Sequence, residues 1–178
     1  MRIKRKLTLP VPQLNVINSG KHAGVDHDIQ EHMIMPTGFN RFSDALRAGT
    51  ETYHTLKTIL KKKYGAKAIL LGDEGGFAPP IESVEERLAL LMQAVKETGY
   101  EGKIKLALDC ASSEFYLENG NYKIMEKEFS KGQLVDYYKE LCKKFPIISG
   151  NRLQENSIFK VIKTPLSGSS LTSCLTRI

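Results

Sequence analysis

Lys103-Ile104-Lys105-Leu106-Ala107-Leu108-Asp109-Cys110 is the stretch that decides the architecture. Ile104, Leu106 and Leu108 alternate along it, the period-two pattern of a strand with one buried face, and a carboxylate closes it. Downstream, Asn119-Gly120 between Phe115-Tyr116 and Tyr122-Lys123-Ile124 signals a hairpin. Ser130 and Gln133 then open a helix with Leu134, Tyr137, Leu141 and Phe145 inward, and Pro146-Ile147-Ile148-Ser149 starts another strand.

Upstream there are two helices. Ser83 and Glu86 form a capping box ahead of an apolar stripe of Val84, Leu88, Leu91 and Val95, with Gly99 past its end. The other is expected to be capped by Ser43, with Phe42, Leu46, Gly49, Tyr53, Leu56 and Leu60 at helical spacing. Lys61-Lys62-Lys63 and Gly65 suit its end, where cations and glycine are favoured. Two strands come first, Leu14–Asn18 and Asp28–Pro36. Two strands, two helices, then strand–helix–strand is an α/β barrel pattern with an unusual opening. No GxGxxG follows the first strand, which argues against a doubly wound nucleotide fold.

The net charge of +6 would suggest a nucleic-acid binder until it is located. Residues 1–8 carry +4 and residues 150–178 carry +3, so residues 9–149 sum to −1. Basic charge confined to two ends, without interleaved aromatics, argues against nucleic acid as the main partner. The organisation expected is a basic leader over 1–8, a folded body over 9–149 and a Ser/Thr-rich tail over 150–178 outside the fold. No apolar run reaches the roughly 20 residues that span a bilayer. The basic start runs into Leu9-Pro10-Val11-Pro12, not an apolar signal core. Cys110, Cys142 and Cys174 are widely spaced with no CxxC, as in a reduced cytoplasmic protein.

Barrel enzymes place chemistry at the C-terminal ends of strands and in the loops that follow. Four residues stand there: His22, Glu31, Glu74 and Asp109. Asp109 is either a hard oxygen ligand suited to Mg²⁺ or a turn or cap residue. Glu74, within Gly72-Asp73-Glu74-Gly75-Gly76, reads more readily as a solvated turn than as a group in a tight site. Glu31 within an apolar strand is either functional or on its polar face. His22 lies in a flexible-looking Gly20–Gly24 loop, where a histidine is usually just exposed. A zinc site from His22, His27, Glu31 and His32 is disfavoured: only Glu31 could share a strand face with His27, and His32 points the other way.

Five motifs, in order and at matching spacing, resemble those of enolases. They are Leu9-Pro10-Val11-Pro12, Asn18-Ser19-Gly20-Lys21-His22-Ala23-Gly24, Gln30-Glu31, Gly72-Asp73-Glu74-Gly75-Gly76-Phe77-Ala78-Pro79, and Leu108-Asp109-Cys110-Ala111-Ser112-Ser113-Glu114-Phe115. The resemblance implies an incomplete TIM-type barrel with a ββαα(βα) opening. It also implies a lyase acting between 2-phosphoglycerate and phosphoenolpyruvate in glycolysis, with Mg²⁺ as cofactor. By resemblance Glu74 is the general acid and Glu31 its partner carboxylate near the leaving hydroxyl, sharing a proton with it. Asp109 is a Mg²⁺ ligand, and His22 contacts substrate from a mobile loop.

In enolases the strand over Pro146–Ser149 continues into Ile-Glu-Asp-Pro, whereas Gly150-Asn151-Arg152 follows here. The third metal-binding Asp, the catalytic lysine, the Ser-His-Arg segment and the late substrate lysine have no counterpart. Ser19 stands where enolases usually have Gly. The expectation is an inactive, marginally stable fragment from a truncated or misread enolase chain. The alternative is a non-catalytic, enolase-derived interaction protein that pairs with an enolase subunit.

Overall fold

A computed structural model describes residues 9–151 of the chain. The leader over 1–8, Cys174 and all of the Ser/Thr-rich tail but its first two residues lie outside that range. The order is β1 (Leu14–Asn18), β2 (Glu31–Met35), α1 (Phe42–Tyr64), α2 (Val84–Glu97), β3 (Lys105–Asp109), β4 (Tyr122–Ile124), β5 (Lys127–Phe129), α3 (Lys131–Lys144) and β6 (Ile147–Asn151). The main sheet runs β1-β2-β3-β6, antiparallel across its first two pairings and parallel across β3–β6. It is open, and among the described residues it does not close into a barrel.

Strand alternation explains the packing. His32 and Ile34 of β2 pair with Leu108 and Leu106 of β3, and these four side chains are buried on one sheet face. Leu88, Leu91 and Val95 of α2 and Leu56 and Leu60 of α1 join the same apolar core. At about 25 cal/mol per Å² of apolar surface removed from water, this cluster is the main source of stability. The outer edge of β1 is not left open. The Asn18 amide donates to Phe77 O at 2.9 Å and the Phe77 amide to Val16 O at 3.0 Å, so the Gly-rich loop covers it.

Several expectations need correction. Ser43 does not cap α1, which starts at Phe42 with Arg41 before it and no side-chain cap bond. Its buried face is Ala45, Ala48, Gly49, Thr52, Leu56, Ile59 and Leu60, while Phe42 and Leu46 are exposed. Small residues allow the first turns of α1 to lie close to the sheet, and that outweighs the larger apolar side chains. Ser83 caps α2 by accepting from the Glu86 amide at 3.2 Å. The Glu86 carboxylate instead pairs with Lys63 at 2.8 Å and Tyr64, tying α2 to the end of α1. Asn119-Gly120 closes only the single bridge Tyr116–Tyr122, and the two-stranded ladder is β4 with β5. The full capping box of Ser130 and Gln133 does begin α3.

Candidate functional site

The site is built on the other face of the sheet. Glu31 of β2 sits opposite Asn18 of β1 and opposite Asp109 of β3, forming one cross-strand row. Asn15 pairs with Met33 and Ile17 with His32, so β1 spends two residues where β2 spends one. This bulge puts Asn15 and Asn18 on the same face, although strict alternation would separate them. The apolar face thus holds the fold together while the opposite face collects Asn15, Asn18, Glu31 and Asp109.

Two loops complete the cluster. Residues Gly20–Ala23 form a 3-10 turn that carries His22 over the end of β1. The His22 Nδ1 lies 3.5 Å from Glu31 Oε1 and 3.9 Å from Glu74 Oε1. One ligand atom from each of the three lies within 4.8 Å of the others. Glu74 arrives on the turn over residues 72–76. The Gly72 amide bonds to Gly76 O at 2.8 Å, and the Tyr53 hydroxyl donates to Gly75 O at 2.8 Å. A Cβ on Gly72 would come within 2.7 Å of the Asn18 Cβ, and one on Gly76 would strike the Asn18 carboxamide. Glycine is therefore required for the turn to lie flat on β1. The Asn15 Nδ2 donates to Glu74 Oε2 at 3.2 Å, which leaves Oε1 turned toward His22.

Asp109 is both turn residue and site residue. Its Oδ1 accepts the Ala111 amide at 3.2 Å, and Ala111 takes a left-handed φ of 45° that non-glycine residues rarely adopt. Its carboxylate, at the end of β3 beside Glu31, is a hard oxygen donor whose chemistry fits Mg²⁺.

Behind the site lies a second cluster of charge. The Arg87 Nη2 donates to Asp28 Oδ1 at 2.7 Å, and both side chains are 1% exposed. The Ile29 amide donates to the same oxygen at 2.7 Å, and the Ser19 hydroxyl donates to Asp28 Oδ2. This lock joins α2, the foot of the His22 loop and the residues leading into β2. The strand β2 begins at Glu31, so the expected start at Asp28 is three residues early.

The sequence therefore identifies the residues that meet but not the supports beneath them. His22, Glu31 and Glu74 come together, and Asp109 shares the row with Glu31. The bland reading of Glu74 as a solvated turn is half right, because its side chain is 47% exposed yet faces His22. His27 and His32 stand apart: His27 has a φ of 56° ahead of β2, and His32 is buried on the apolar face. Asn15, Asn18 and the Asp28–Arg87 lock were not signalled, since short polar residues beside turns are too common to single out.

Residues 6–163 match the family described as "Enolase, C-terminal TIM barrel domain". The enolase of Methanocaldococcus jannaschii is 51% identical over 141 residues, covering 79% of this chain and 33% of that protein. The enolase of Methanopyrus kandleri is 52% identical over 144 residues, covering 79% and 34%. That of Thermococcus gammatolerans is 51% identical over 144 residues, with the same coverage. The chain spans about a third of the length of the curated relatives it matches.

Proposed function

The chain belongs to the enolase family, and we propose that its residues serve the dehydration of 2-phosphoglycerate to phosphoenolpyruvate in the cytoplasm. The observation that carries this reading is the meeting of two carboxylates and an imidazole, from β2 and two loops, beside Asp109 at the end of β3.

The reaction removes a weakly acidic proton next to the substrate carboxylate and expels hydroxide from the neighbouring carbon. Glu74, on a glycine-flanked turn open to solvent, donates the proton with which the hydroxyl leaves as water. Glu31, on the rigid strand, accepts a hydrogen bond from that hydroxyl and holds it toward Glu74. Asn15 positions Glu74 through its second carboxylate oxygen. His22, on a short turn ending in a left-handed Gly24 with φ 68°, contacts substrate when the loop closes. Asp109 would hold Mg²⁺, which when bound neutralises the charge that builds on the substrate carboxylate.

The base that takes the carbon-bound proton is not among these groups. The 178 residues on their own are thus proposed not to complete the reaction. A chimera in which residues 9–149 replace the matching segment of the Methanocaldococcus jannaschii enolase tests the assignment. The chimera should form phosphoenolpyruvate, and Glu74→Gln within it should lower kcat by about 10²–10⁴-fold, the range for a lost general acid. An active chimera that tolerates Glu74→Gln refutes the role given to that residue.

A further inference from the structure

We propose that Ser19 is a positioning residue for His22: its hydroxyl, bound to the buried Asp28 carboxylate, clamps together the two ends of the loop that carries His22. The inference rests on the substrate contact proposed for His22 and adds what orders the loop for that contact.

The closing of the loop is the first argument. The chain leaves β1 at Asn18 and re-enters the sheet at Glu31. Its two ends meet through the Ser19 amide, which donates to Gln30 O at 2.8 Å, and through the Ser19 hydroxyl, which donates to Asp28 Oδ2. Residues 20–27 thus form a compact loop with joined ends. Ser19 and Asp28 are 6% and 2% exposed, whereas every residue from Lys21 to His27 is half-buried or exposed. The boundary between the fixed core and the loop falls at the clamp.

The backbone is the second. Gly20, beside the clamp, has a left-handed φ of 55°, where glycine bends at little cost. A Cβ there would come within 2.9 Å of Asp28 O, so the loop turns directly against the residue that Ser19 holds. The Val25 amide then reaches back to Gly20 O at 2.9 Å, and His22 stands on the turn between them.

The relative strength of the ties is the third. At the outer side of the loop Lys21 pairs with Glu114, with side chains 63% and 36% exposed, and such a surface pair holds weakly. Asp28 is itself immobilised by Arg87 Nη2 and the Ile29 amide on Oδ1, so its Oδ2 offers Ser19 a fixed, charged acceptor. Of these two ties the buried one therefore sets the loop. A loop ordered in advance loses less conformational entropy when His22 meets substrate.

Amide hydrogen exchange in the full 178-residue chain reads the clamp without any need for turnover. Ser19→Ala should speed exchange at the Gly24 and Val25 amides by at least about tenfold, the lower end for losing a hydrogen bond to a charged group. Leu141→Ala, in the core beside α3, destabilises the fold at a distance and should leave both amides at the parental rate. The kinetic arm uses the chimera with the Methanocaldococcus jannaschii enolase. There Ser19→Ala should raise KM for 2-phosphoglycerate by about 3–10-fold with kcat within about twofold, because loop order is lost while the reacting groups stay in place. A merely structural role would lower the active fraction, and with it kcat, at constant KM. Parental exchange in Ser19→Ala, or equal acceleration by Leu141→Ala, overturns the clamp. A KM unmoved by Ser19→Ala overturns its role for His22. Neither result bears on the reaction itself, which Glu74→Gln in the same chimera decides.

Discussion

Two clusters of acid and base lie on either side of the loop over residues 19–24, and they are built to opposite rules. In the first, Arg87 and Asp28 are 1% exposed and meet at 2.7 Å, with the Ile29 amide and the Ser19 hydroxyl completing the carboxylate. In the second, His22 and Glu74 have side chains 23% and 47% exposed, and the His22 Nδ1 lies 3.5 Å from Glu31 Oε1 and 3.9 Å from Glu74 Oε1. A buried charge must be matched at short range or it destabilises the fold. A site that has to admit a ligand must keep its groups close while leaving part of them open to solvent. Distance and burial together separate the lock from the site, although both use the same residue types.

The largest effect should come from breaking the lock. Arg87→Ala leaves Asp28 charged in the core and is expected to cost about 3–5 kcal/mol, measured by urea unfolding. A loss below about 1 kcal/mol would show that the pair is not a structural lock. Ser19→Ala removes one bond to the same carboxylate and should cost about 1.5–3 kcal/mol, the value of a hydrogen bond to a charged group. That substitution sharpens the comparison, because it touches the lock from the loop that carries His22.

A pH effect comes next. Burial, followed by the nearby Arg87 charge, holds the His32 imidazole well below its ordinary value of 6.5. The unfolded chain takes up a proton below about pH 6.5 that the folded chain refuses, so stability falls as the pH drops through that point. His32→Leu, which keeps an apolar side chain there, should flatten the acid limb of a stability profile between about pH 5 and 7. An unchanged limb would mean that His32 does not set it. The smallest stability effect should be Glu74→Gln, within about 0.5 kcal/mol of the parent. A larger loss would place Glu74 with the lock and not with the site.

Much of this was legible in the chain. The alternation of Ile104, Leu106 and Leu108 and the position of Asp109 located β3, and the stripe of Val84, Leu88, Leu91 and Val95 located α2. His22, Glu31, Glu74 and Asp109 were visible as polar groups at strand ends and in loops. Their supports were hidden for physical reasons. The bulge in β1 reverses the facing of Asn15, and no local residue pattern announces it. Arg87 sits among the buried positions of α2, where its charge argues for solvent until Asp28 is placed beside it. The exposed Phe42 and the buried Ala45 of α1 show close packing overriding side-chain size, which depends on what the helix lies against.

The most direct test of the account is phosphoenolpyruvate formation by the purified 178-residue chain, supplied with 2-phosphoglycerate and Mg²⁺ after contaminating enolase is excluded. The account predicts no product above the protein-free control, because the groups proposed for the site, His22, Glu31, Glu74 and Asp109, include no base for the carbon-bound proton. Turnover that follows the chain through purification and is lost on Glu74→Gln would contradict it.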